Sequence, residues 1–154
     1  MARIETGSEA PEFDLQAAGG GRVRLGDFRG RRNVLLVFHP FAWTPICEEE
    51  ARDLEENLAS FESADTEVLL VSCDSVPARQ AWKERLQLTY ALPADFWPHG
   101  EAAKTYGVFD EAAGAPVRGT FLIDKQGVVV WSLVNDADSR RGALVSGPLA
   151  AAPS

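Results

Sequence analysis

The feature that most constrains the fold of this chain is an apolar segment that passes directly into a helix start. Residues 33–38 (Asn-Val-Leu-Leu-Val-Phe) have the length and the continuous apolar character of a strand that is buried on both faces of a sheet. After a short turn, Thr44 and Pro45 supply residue types that are preferred at the N-cap and at the first position of a helix. The sequence therefore predicts a buried strand, a short turn and a helix that begins at Thr44.

The predicted helix carries one apolar stripe, and a cysteine lies at its start. Apolar residues recur at a spacing of three or four positions, as one face of an α-helix requires. The cysteine, Cys47, falls in the first turn, where backbone N–H groups lack helical partners and the helix dipole is positive. Such a position favours the thiolate, the nucleophilic form of cysteine, although the stripe should partly cover the sulfur. The stripe consists of Cys47, Ala51, Leu54, Leu58 and Phe61.

The remaining strand and helix signals complete a single α/β domain. Alternating residues on either side of Gly19–Gly21 predict an N-terminal β-hairpin over residues 12–25, and residues 125–127 have the composition of a second hairpin turn. This order predicts one layered α/β structure with a mixed central sheet flanked by helices. The other predicted elements are strand 66–73, helix 77–88 with Trp82 on its buried side, loop 95–100, short helix 101–106, and strands 119–124 and 128–133.

Length and periodicity set the expected domain limits. A chain of 154 residues fits one domain and can bury a full core without disulfide bonds. We expect this domain to span residues 1–134. Residues 135–154 begin with a polar stretch and continue with Ala, Gly and Pro without clear periodicity, so this C-terminal extension is a candidate for poor order.

Charge and composition limit the expected partners and location. The formal net charge of −8 argues against nucleic acid and against an anionic membrane as partners, because both require basic patches. The sequence lacks a run of about 18 apolar residues, and residues 1–11 lack the apolar core of a signal peptide. We therefore expect a cytoplasmic protein in which the two cysteines, Cys47 and Cys73, are free thiols.

The residues around Cys47 leave its role open between a reactive thiol and a small buried hydrophobe. Three glutamates follow it, and Glu50 shares its helix face, so their charges oppose the effect of the helix dipole. A reactive Cys47 thus requires a cation from elsewhere in the fold. A guanidinium at about 4 Å, with an effective dielectric constant near 20, supplies roughly 4 kcal/mol. Charge and spacing alone do not select one among the arginines of the chain.

Several separated motifs resemble those of the peroxiredoxin family. Residues 40–47 (Pro-Phe-Ala-Trp-Thr-Pro-Ile-Cys) are similar to the family motif Pro-x-x-x-Thr-x-x-Cys, and residues 118–124 (Arg-Gly-Thr-Phe-Leu-Ile-Asp) are similar to its arginine-bearing strand. Residues 95–100 and 106–110 are most similar to the one-cysteine alkyl hydroperoxide reductase E type. The resemblance covers about residues 4–134 and implies a thioredoxin-like fold and the reduction of hydroperoxides by a thiolate. Residues 10–13 and 71–75 also fit their usual places in the family.

The resemblance assigns roles to five residues, of which Thr44 alone would be only a helix cap and Arg118 alone a surface charge. Cys47 matches the peroxidatic cysteine, whose thiolate attacks the peroxide and is left as sulfenic acid. Thr44 matches the residue whose hydroxyl hydrogen-bonds the peroxide, and Pro40 matches the residue that shields the sulfur from water. Arg118 matches the guanidinium that stabilises the thiolate and the charge developing along the O–O bond, and Glu50 matches the carboxylate that orients this arginine.

The second cysteine, Cys73, lies in a predicted buried strand and is expected to be an inert core thiol. The alternative is a resolving cysteine that captures the sulfenic acid. Relatives of the bacterioferritin-comigratory type often carry such a cysteine at the position of Arg52, and no cysteine follows residue 73. The resemblance therefore implies a one-cysteine cycle that an external thiol completes. This reductant is expected to be a low-molecular-weight thiol or a glutaredoxin-like, mycoredoxin-like or thioredoxin-like protein, a choice that these residues do not make.

The two histidines raise two further hypotheses. His39, His99 and Cys47 lack the spacing of a metal site, and a metal-bound sulfur would not attack peroxide, so we expect neither a metal nor a cofactor. His39 stands where the family often has an aromatic residue, and it could add a pH-dependent charge near the sulfur.

Function and assembly follow from the same resemblance. It implies a thiol-dependent peroxidase that reduces hydrogen peroxide, alkyl hydroperoxides or peroxynitrite. It also implies a homodimer that associates through the surface around the active-site loops, with Trp43 or Trp82 as contributors. The alternative function is a non-enzymatic redox sensor or interaction protein that uses the same oxidisable cysteine. Both functions begin with the same sulfenic acid, so the sequence does not separate them.

Overall fold

The computed structural model describes residues 4–135 and 142–153, over which strands and helices alternate. No described helix is both long enough and apolar enough to cross a membrane. The strands, in chain order, are β1 (Asp14–Ala17), β2 (Arg22–Arg24), β3 (Asn33–Phe38), β4 (Thr66–Val71), β5 (Pro93–Ala94), β6 (Phe109–Asp110), β7 (Ala115–Pro116), β8 (Arg118–Ile123) and β9 (Val129–Asn135). The helices are α1 (Pro45–Glu56), α2 (Leu58–Ser63), α3 (Val76–Leu86), α4 (Glu101–Thr105) and α5 (Ser146–Ala151), and a 3₁₀-helix spans Leu25–Phe28.

A four-stranded mixed sheet forms the centre of the domain. Its strand order is β4-β3-β8-β9, with β3 parallel to β4 and antiparallel to β8. The hairpin β8–β9 completes one side of this sheet, and the N-terminal hairpin β1–β2 pairs with the short strand β5. The predicted mixed sheet with flanking helices and an N-terminal β-hairpin is confirmed.

The continuous apolar run of β3 is explained by its position between two packed layers. Leu35 and Val37 belong to a core with α1, α2 and α3, whereas Leu36 and Phe38 belong to a second core with β1 and α4. Successive side chains of a strand point to opposite faces, so both sets are buried only because both faces are covered. Trp82 of α3 is fully buried in the first core. The prediction that it lies on the buried side of its helix is confirmed, and the idea that it contributes to an interface is wrong.

Most predicted element boundaries differ from the observed ones by no more than two residues, but the predicted helix whose stripe reaches Phe61 is divided at Asn57 into α1 and α2. β4 ends at Val71, because the chain turns into a loop at Ser72. α3 begins at Val76 and follows an N-cap in which the Ser75 hydroxyl oxygen accepts a hydrogen bond from the Ala78 N–H at 3.3 Å. The residues that follow β4 include both polar and apolar side chains, so the hydrophobic pattern alone does not show where this strand ends.

The C-terminal segment contains a short helix, α5, that the sequence did not indicate. Leu144 just before it is buried, and Leu149 within it packs against the core that contains α1. Near the chain end, the Pro153 carbonyl accepts a hydrogen bond from the Asn33 side chain at 3.3 Å. A six-residue helix is too short to show a helical period, which is why the pattern was missed. The polar stretch included in the expectation of poor order falls largely on residues 136–141, which lie outside the described residues.

One edge of the sheet gathers the loops that build the candidate site. β3 and β4 are parallel, and parallel bridges join residues 69 and 72 to residues 91 and 94. The loops 39–44, 72–75 and 95–100 therefore leave the sheet at the same edge. β8 runs the opposite way, and its pairing of Thr120 with Val37 places Arg118 at this edge as well.

Candidate active site

The first turn of α1 holds Cys47 as the sequence predicted. Thr44 occupies the N-cap position with an extended backbone, and Pro45 is the first helical residue. Cys47 is the third helical residue and is 1% exposed. Its sulfur is therefore enclosed at the positive end of a helix, in the turn whose backbone N–H groups have no partner within the helix.

The side chain of Thr44 does not cap the helix that it precedes. Its hydroxyl instead donates a hydrogen bond to the Phe41 carbonyl oxygen at 2.8 Å. Thr44 is therefore the N-cap residue that the sequence predicted, but its side chain makes no capping hydrogen bond. Because its hydrogen is committed to Phe41, the Thr44 oxygen is left with lone pairs that can accept a hydrogen bond from an O–H group.

A buried ion pair lies at the same edge of the sheet. Arg118 Nη1 donates to Glu50 Oε1 at 2.7 Å, and the two side chains are 3% and 1% exposed. Glu50 lies three residues after Cys47 on the inward face of α1, whereas Glu49 is exposed and Glu48 pairs with Arg52 at 3.1 Å. The structure thus joins two residues that are 68 positions apart in sequence. Of the three consecutive glutamates, only Glu50 is buried.

Two loops at this edge are tied together by Asp74. Its Oδ2 atom accepts a hydrogen bond from the Ala42 N–H at 2.8 Å and another from the Ser72 hydroxyl at 2.6 Å. Pro40 is buried and lies two residues before Ala42 in the first of these loops. Trp43 follows Ala42 and has a left-handed backbone conformation (φ 70°). A tryptophan with positive φ is uncommon and is held there by the surrounding loop structure.

A buried arginine, Arg79, lies behind these loops and was not among the predicted site residues. Its Nη1 atom contacts His39 Nε2 at 2.7 Å and donates to Ser72 Oγ at 2.7 Å, while Nη2 donates to the Leu70 carbonyl. The His39 ring stacks on Trp82 with 5.2 Å between ring centroids. One signal was available in the sequence, because Arg79 precedes Trp82 by three positions and therefore shares its buried helix face.

The geometry at His39 does not favour the predicted pH-dependent charge. A guanidinium has only donors, so its contact with Nε2 requires that Nε2 act as an acceptor. His39 is then the neutral imidazole with its proton on Nδ1. A proton on Nε2 would place an imidazolium directly against the Arg79 guanidinium, and the two positive charges would repel each other. His99 is exposed and contacts the Gly114 carbonyl at 2.7 Å. The described residues contain no group of three or more His, Cys, Asp and Glu side chains that could hold a metal ion.

The environment of Cys73 differs from that of a reactive thiol. It follows β4, is 5% exposed and is a free cysteine, as is Cys47. Burial, together with the negative charges of Asp95 and Asp74, raises the pKa of the Cys73 thiol to about 12. Cys73 is therefore protonated at neutral pH.

Comparisons with known proteins point to one group of proteins. The AhpC/TSA family matches residues 6–132 of the chain. Alkyl hydroperoxide reductase E of Mycobacterium tuberculosis (strain ATCC 25618 / H37Rv) is 40% identical over 126 residues, which cover 82% of each protein. Peroxiredoxin 2 of Thermoplasma acidophilum is 34% identical over 139 residues, covering 88% of this chain and 69% of that protein. The crystal structure of Enterococcus faecalis AhpC superposes with a TM-score of 0.86 at 29% identity, over 96% of this chain and 92% of that one.

Proposed function

Because the chain belongs to the AhpC/TSA family and is a thiol-dependent peroxidase with a thioredoxin-like fold, we propose that Cys47 is the residue that attacks the peroxide. The observation that carries this proposal is the enclosed position of Cys47 in the first turn of α1, at the sheet edge where Arg118 and Glu50 pair. Cys73 supplies the contrast, because burial and nearby carboxylates hold it as a thiol.

In the proposed reaction, the Cys47 thiolate attacks the terminal oxygen of a hydroperoxide. An S–O bond forms as the O–O bond breaks, and the electron pair of that bond leaves with the second oxygen. The leaving oxygen takes up a proton and departs as water or an alcohol. The sulfur is oxidised to sulfenic acid and the peroxide is reduced, so that atoms and electrons balance.

Arg118 is the cation that this step needs. Negative charge is spread over sulfur and both oxygens in the transition state, and a fixed guanidinium stabilises it more strongly in a buried site than in water. The 2.7 Å bond to Glu50 uses one donor of Arg118 and fixes the plane of the guanidinium. Glu50 thus acts by orienting Arg118.

Thr44 and Pro40 complete the proposed site. The Thr44 hydroxyl donates to Phe41, so its oxygen is the acceptor that can receive the hydroperoxide O–H. This bond would position the terminal oxygen for attack. Pro40 is buried beside the loop and lacks an N–H group, so it keeps water from the sulfur without offering a donor of its own.

The proposed cycle uses one cysteine and an external reductant. A thiol with a pKa of about 12 is almost entirely protonated at neutral pH and is a poor partner for condensation with sulfenic acid. An outside thiol then forms a mixed disulfide with Cys47, and a second thiol releases it. We propose a low-molecular-weight thiol or a glutaredoxin-like, mycoredoxin-like or thioredoxin-like protein as that reductant, in a cytoplasmic setting.

A homodimer is proposed at the edge that carries the site. Exposed aromatic side chains are concentrated on the two loops there: Phe41 and Trp43 on one, and Phe96 and Trp97 on the other, with exposures of 43%, 50%, 48% and 83%. Exposed aromatic clusters of this kind are typical of interaction surfaces. Trp43→Arg should shift the protein toward monomer in sedimentation or light-scattering measurements. An unchanged mass for this variant, or a monomeric wild type, would contradict the dimer.

Intact-protein and peptide mass spectrometry after peroxide treatment tests the proposed cycle. With a trapping reagent for sulfenic acid, Cys47 should carry the thioether adduct of that reagent, formed with loss of water. With a small thiol present, the same residue should carry that thiol as a mixed disulfide, and repeated peroxide additions should be consumed catalytically. A Cys47–Cys73 disulfide would overturn the one-cysteine cycle, and a single stoichiometric oxidation without turnover would favour the sensor over the enzyme.

A further inference from the structure

The buried guanidinium of Arg79 holds both ends of the segment that contains Pro40. At one end it contacts His39 Nε2 directly at 2.7 Å. At the other end it donates to Ser72 Oγ at 2.7 Å, which in turn donates to the Asp74 carboxylate that accepts the Ala42 N–H. One side chain from α3 therefore fixes the chain on both sides of Pro40, which lies four residues before the N-cap Thr44.

The contacts of Arg79 leave its positive charge without a directly paired anion among the described residues. The three acceptors of its guanidinium are an imidazole nitrogen, a hydroxyl oxygen and a carbonyl oxygen, all uncharged. Its guanidinium also lies 5.9 Å from the centre of the Trp82 ring. The residue is fully buried, and a buried cation with only neutral partners is costly unless an anion lies nearby.

The anionic groups that stabilise the Arg79 cation include the cysteine of the site. Burial lowers the pKa of Arg79 to about 10, and negative charge on Asp74, Tyr90, Cys47 or Cys73 opposes this lowering. Two of these groups are neutral at physiological pH, because burial raises the pKa of Tyr90 well above its usual range and that of Cys73 to about 12. Of these four groups, Asp74 and, when it is ionised, Cys47 can compensate the charge. Cys47 lies in the same buried core as Trp82, whose ring the Arg79 guanidinium approaches.

We propose that Arg79 is a second guanidinium of the peroxide site, a positioning residue that holds the His39–Ala42 segment and whose buried charge stabilises the Cys47 thiolate. The proposal rests on the proposed role of Cys47 and adds a residue of α3 to a site in which the Arg118–Glu50 pair joins β8 to α1. Arg118 has a bonded carboxylate, whereas the bonded partners of Arg79 are neutral, so the charge of Arg79 acts on nearby anions that are not bonded to it.

Two substitutions separate the charge of Arg79 from its hydrogen bonds. Arg79→Gln keeps an amide donor but removes the charge, and Arg79→Lys keeps the charge but loses the forked geometry. We expect Arg79→Gln to lower the rate of Cys47 alkylation by iodoacetamide, and its rate with hydrogen peroxide, by about tenfold. Arg79→Lys should restore the alkylation rate to within about threefold of wild type, while the peroxide rate stays lower because the segment is held less firmly.

A matched control comes from the same helix. Arg85 is exposed on α3, and neither Arg85→Gln nor Arg85→Lys should change either rate by more than about twofold. Thermal unfolding of each variant reports the loss of packing separately from the loss of reactivity. All rates are measured on the Cys73→Ser background, so that alkylation reports Cys47 alone.

The outcomes distinguish this proposal from the proposed function itself. Equal alkylation rates for wild type and Arg79→Gln would overturn the proposal. It would also be overturned if Arg79→Lys reacted no faster than Arg79→Gln and the rates of the variants simply followed their thermal stability. If the wild-type protein does not reduce peroxide, the proposed function fails. The alkylation rates still test the charge of Arg79 in that case, because iodoacetamide requires only the thiolate.

Discussion

The two cysteines of this chain are both buried, but their surroundings differ. Cys47 and Cys73 are 1% and 5% exposed, both are free thiols, and both lie near the same edge of the central sheet. Cys47 lies in the first turn of a helix on which the buried carboxylate of Glu50 is bonded to Arg118. Cys73 follows a strand and has the carboxylates of Asp95 and Asp74 as its neighbours.

Burial is the largest cause of the raised pKa of the Cys73 thiol, and the carboxylates of Asp95 and Asp74 add to it. Because Cys47 is buried as well, we propose that the charges around the two thiols make the difference in their reactivity. A carboxylate beside a thiol opposes ionisation, and this is the situation of Cys73. Glu50 is a carboxylate on the helix of Cys47, but its charge is compensated by the 2.7 Å bond to Arg118. A carboxylate thus raises the cost of a thiolate at Cys73, whereas in our proposal the Glu50 carboxylate orients the Arg118 guanidinium.

The largest expected effect is the loss of peroxidase activity on removal of one sulfur. Cys47→Ser should lower the rate of peroxide reduction by at least about 1,000-fold, because a serine hydroxyl is not ionised at neutral pH. Cys73→Ser should retain the activity to within about twofold, because this thiol is protonated and takes no part in the cycle. The rates are measured by peroxide consumption with a recycling thiol present. Activity lost only in the Cys73 variant would reverse the comparison.

A second prediction concerns the chemical reactivity of the two thiols in one folded molecule. Iodoacetamide at neutral pH should modify Cys47 at least about 100-fold faster than Cys73, because a thiol with a pKa of about 12 contains a negligible thiolate fraction. Peptide mass spectrometry at increasing times gives both rates. In denaturant the two cysteines should react at similar rates. Comparable rates in the folded protein would contradict the assignment of Cys73 as inert.

A third prediction tests the Arg118–Glu50 ion pair, in which the charge of the Glu50 carboxylate on the Cys47 helix is compensated. Arg118→Met should lower the rate of Cys47 oxidation by about 100-fold, the usual cost of removing a donor from a site of charge development. Glu50→Gln keeps the shape and an acceptor, and should cost about tenfold because the guanidinium is less firmly oriented. Stopped-flow fluorescence of the chain's tryptophans during peroxide addition measures both rates.

A surface pair on the same helix provides the control for this prediction. Arg52 pairs with Glu48 at 3.1 Å, and the Arg52 side chain is 54% exposed, so Arg52→Gln should leave the oxidation rate within about twofold. Circular dichroism and thermal unfolding must accompany the Arg118 and Glu50 variants, because removal of one partner from a buried pair destabilises the fold by about 3–5 kcal/mol. If Arg118→Met folds and its Cys47 is oxidised at the wild-type rate, then Arg118 has no role in the proposed mechanism.

Most of the architecture was predictable because hydrophobic periodicity records it directly. The buried strand β3 and the apolar stripe of α1 are both visible as patterns, and the sheet needs both faces of β3 covered. The ion pair between Arg118 and Glu50 was predictable only through a family motif, because the two residues are 68 positions apart in the sequence. Spacing alone cannot show which of many arginines a folded chain brings to a given carboxylate.

The remainder of the site was not predictable because it depends on side-chain partners. The Thr44 hydroxyl could cap its helix or bond to the preceding turn, and sequence does not decide between these two bonds. Arg79 was missed because arginine is usually exposed, although its spacing from Trp82 pointed inward. Its contact with His39 in turn reverses the expected behaviour of that histidine, from a titrating group to a neutral acceptor.

The smallest predicted effect comes from removing one of the charges that keep Cys73 inert. Asp95 is 2% exposed, and burial raises the pKa of its carboxyl from 3.8 to about 6, although its bonds from the Ala102 and Ala103 N–H groups favour the charged form. Above this pH the carboxylate is ionised and opposes a thiolate at Cys73. Asp95→Asn should therefore raise the alkylation rate of Cys73 at pH 9 by about three- to tenfold, with little change at Cys47.

The same substitution has a signature in the pH dependence of stability. Because the folded state binds the Asp95 proton more tightly than the unfolded state, this group makes the free energy of unfolding fall as pH rises from about 4 to about 6. The total change is roughly 3 kcal/mol by linkage. Urea unfolding at pH 4, 5 and 6.5 should show this decrease in wild type and in the exposed-site control Glu111→Gln, and a flatter dependence in Asp95→Asn. If Asp95→Asn keeps the wild-type slope and leaves Cys73 unreactive, then desolvation alone keeps that thiol inert, and the charge contrast between the two cysteines belongs to the Cys47 site only.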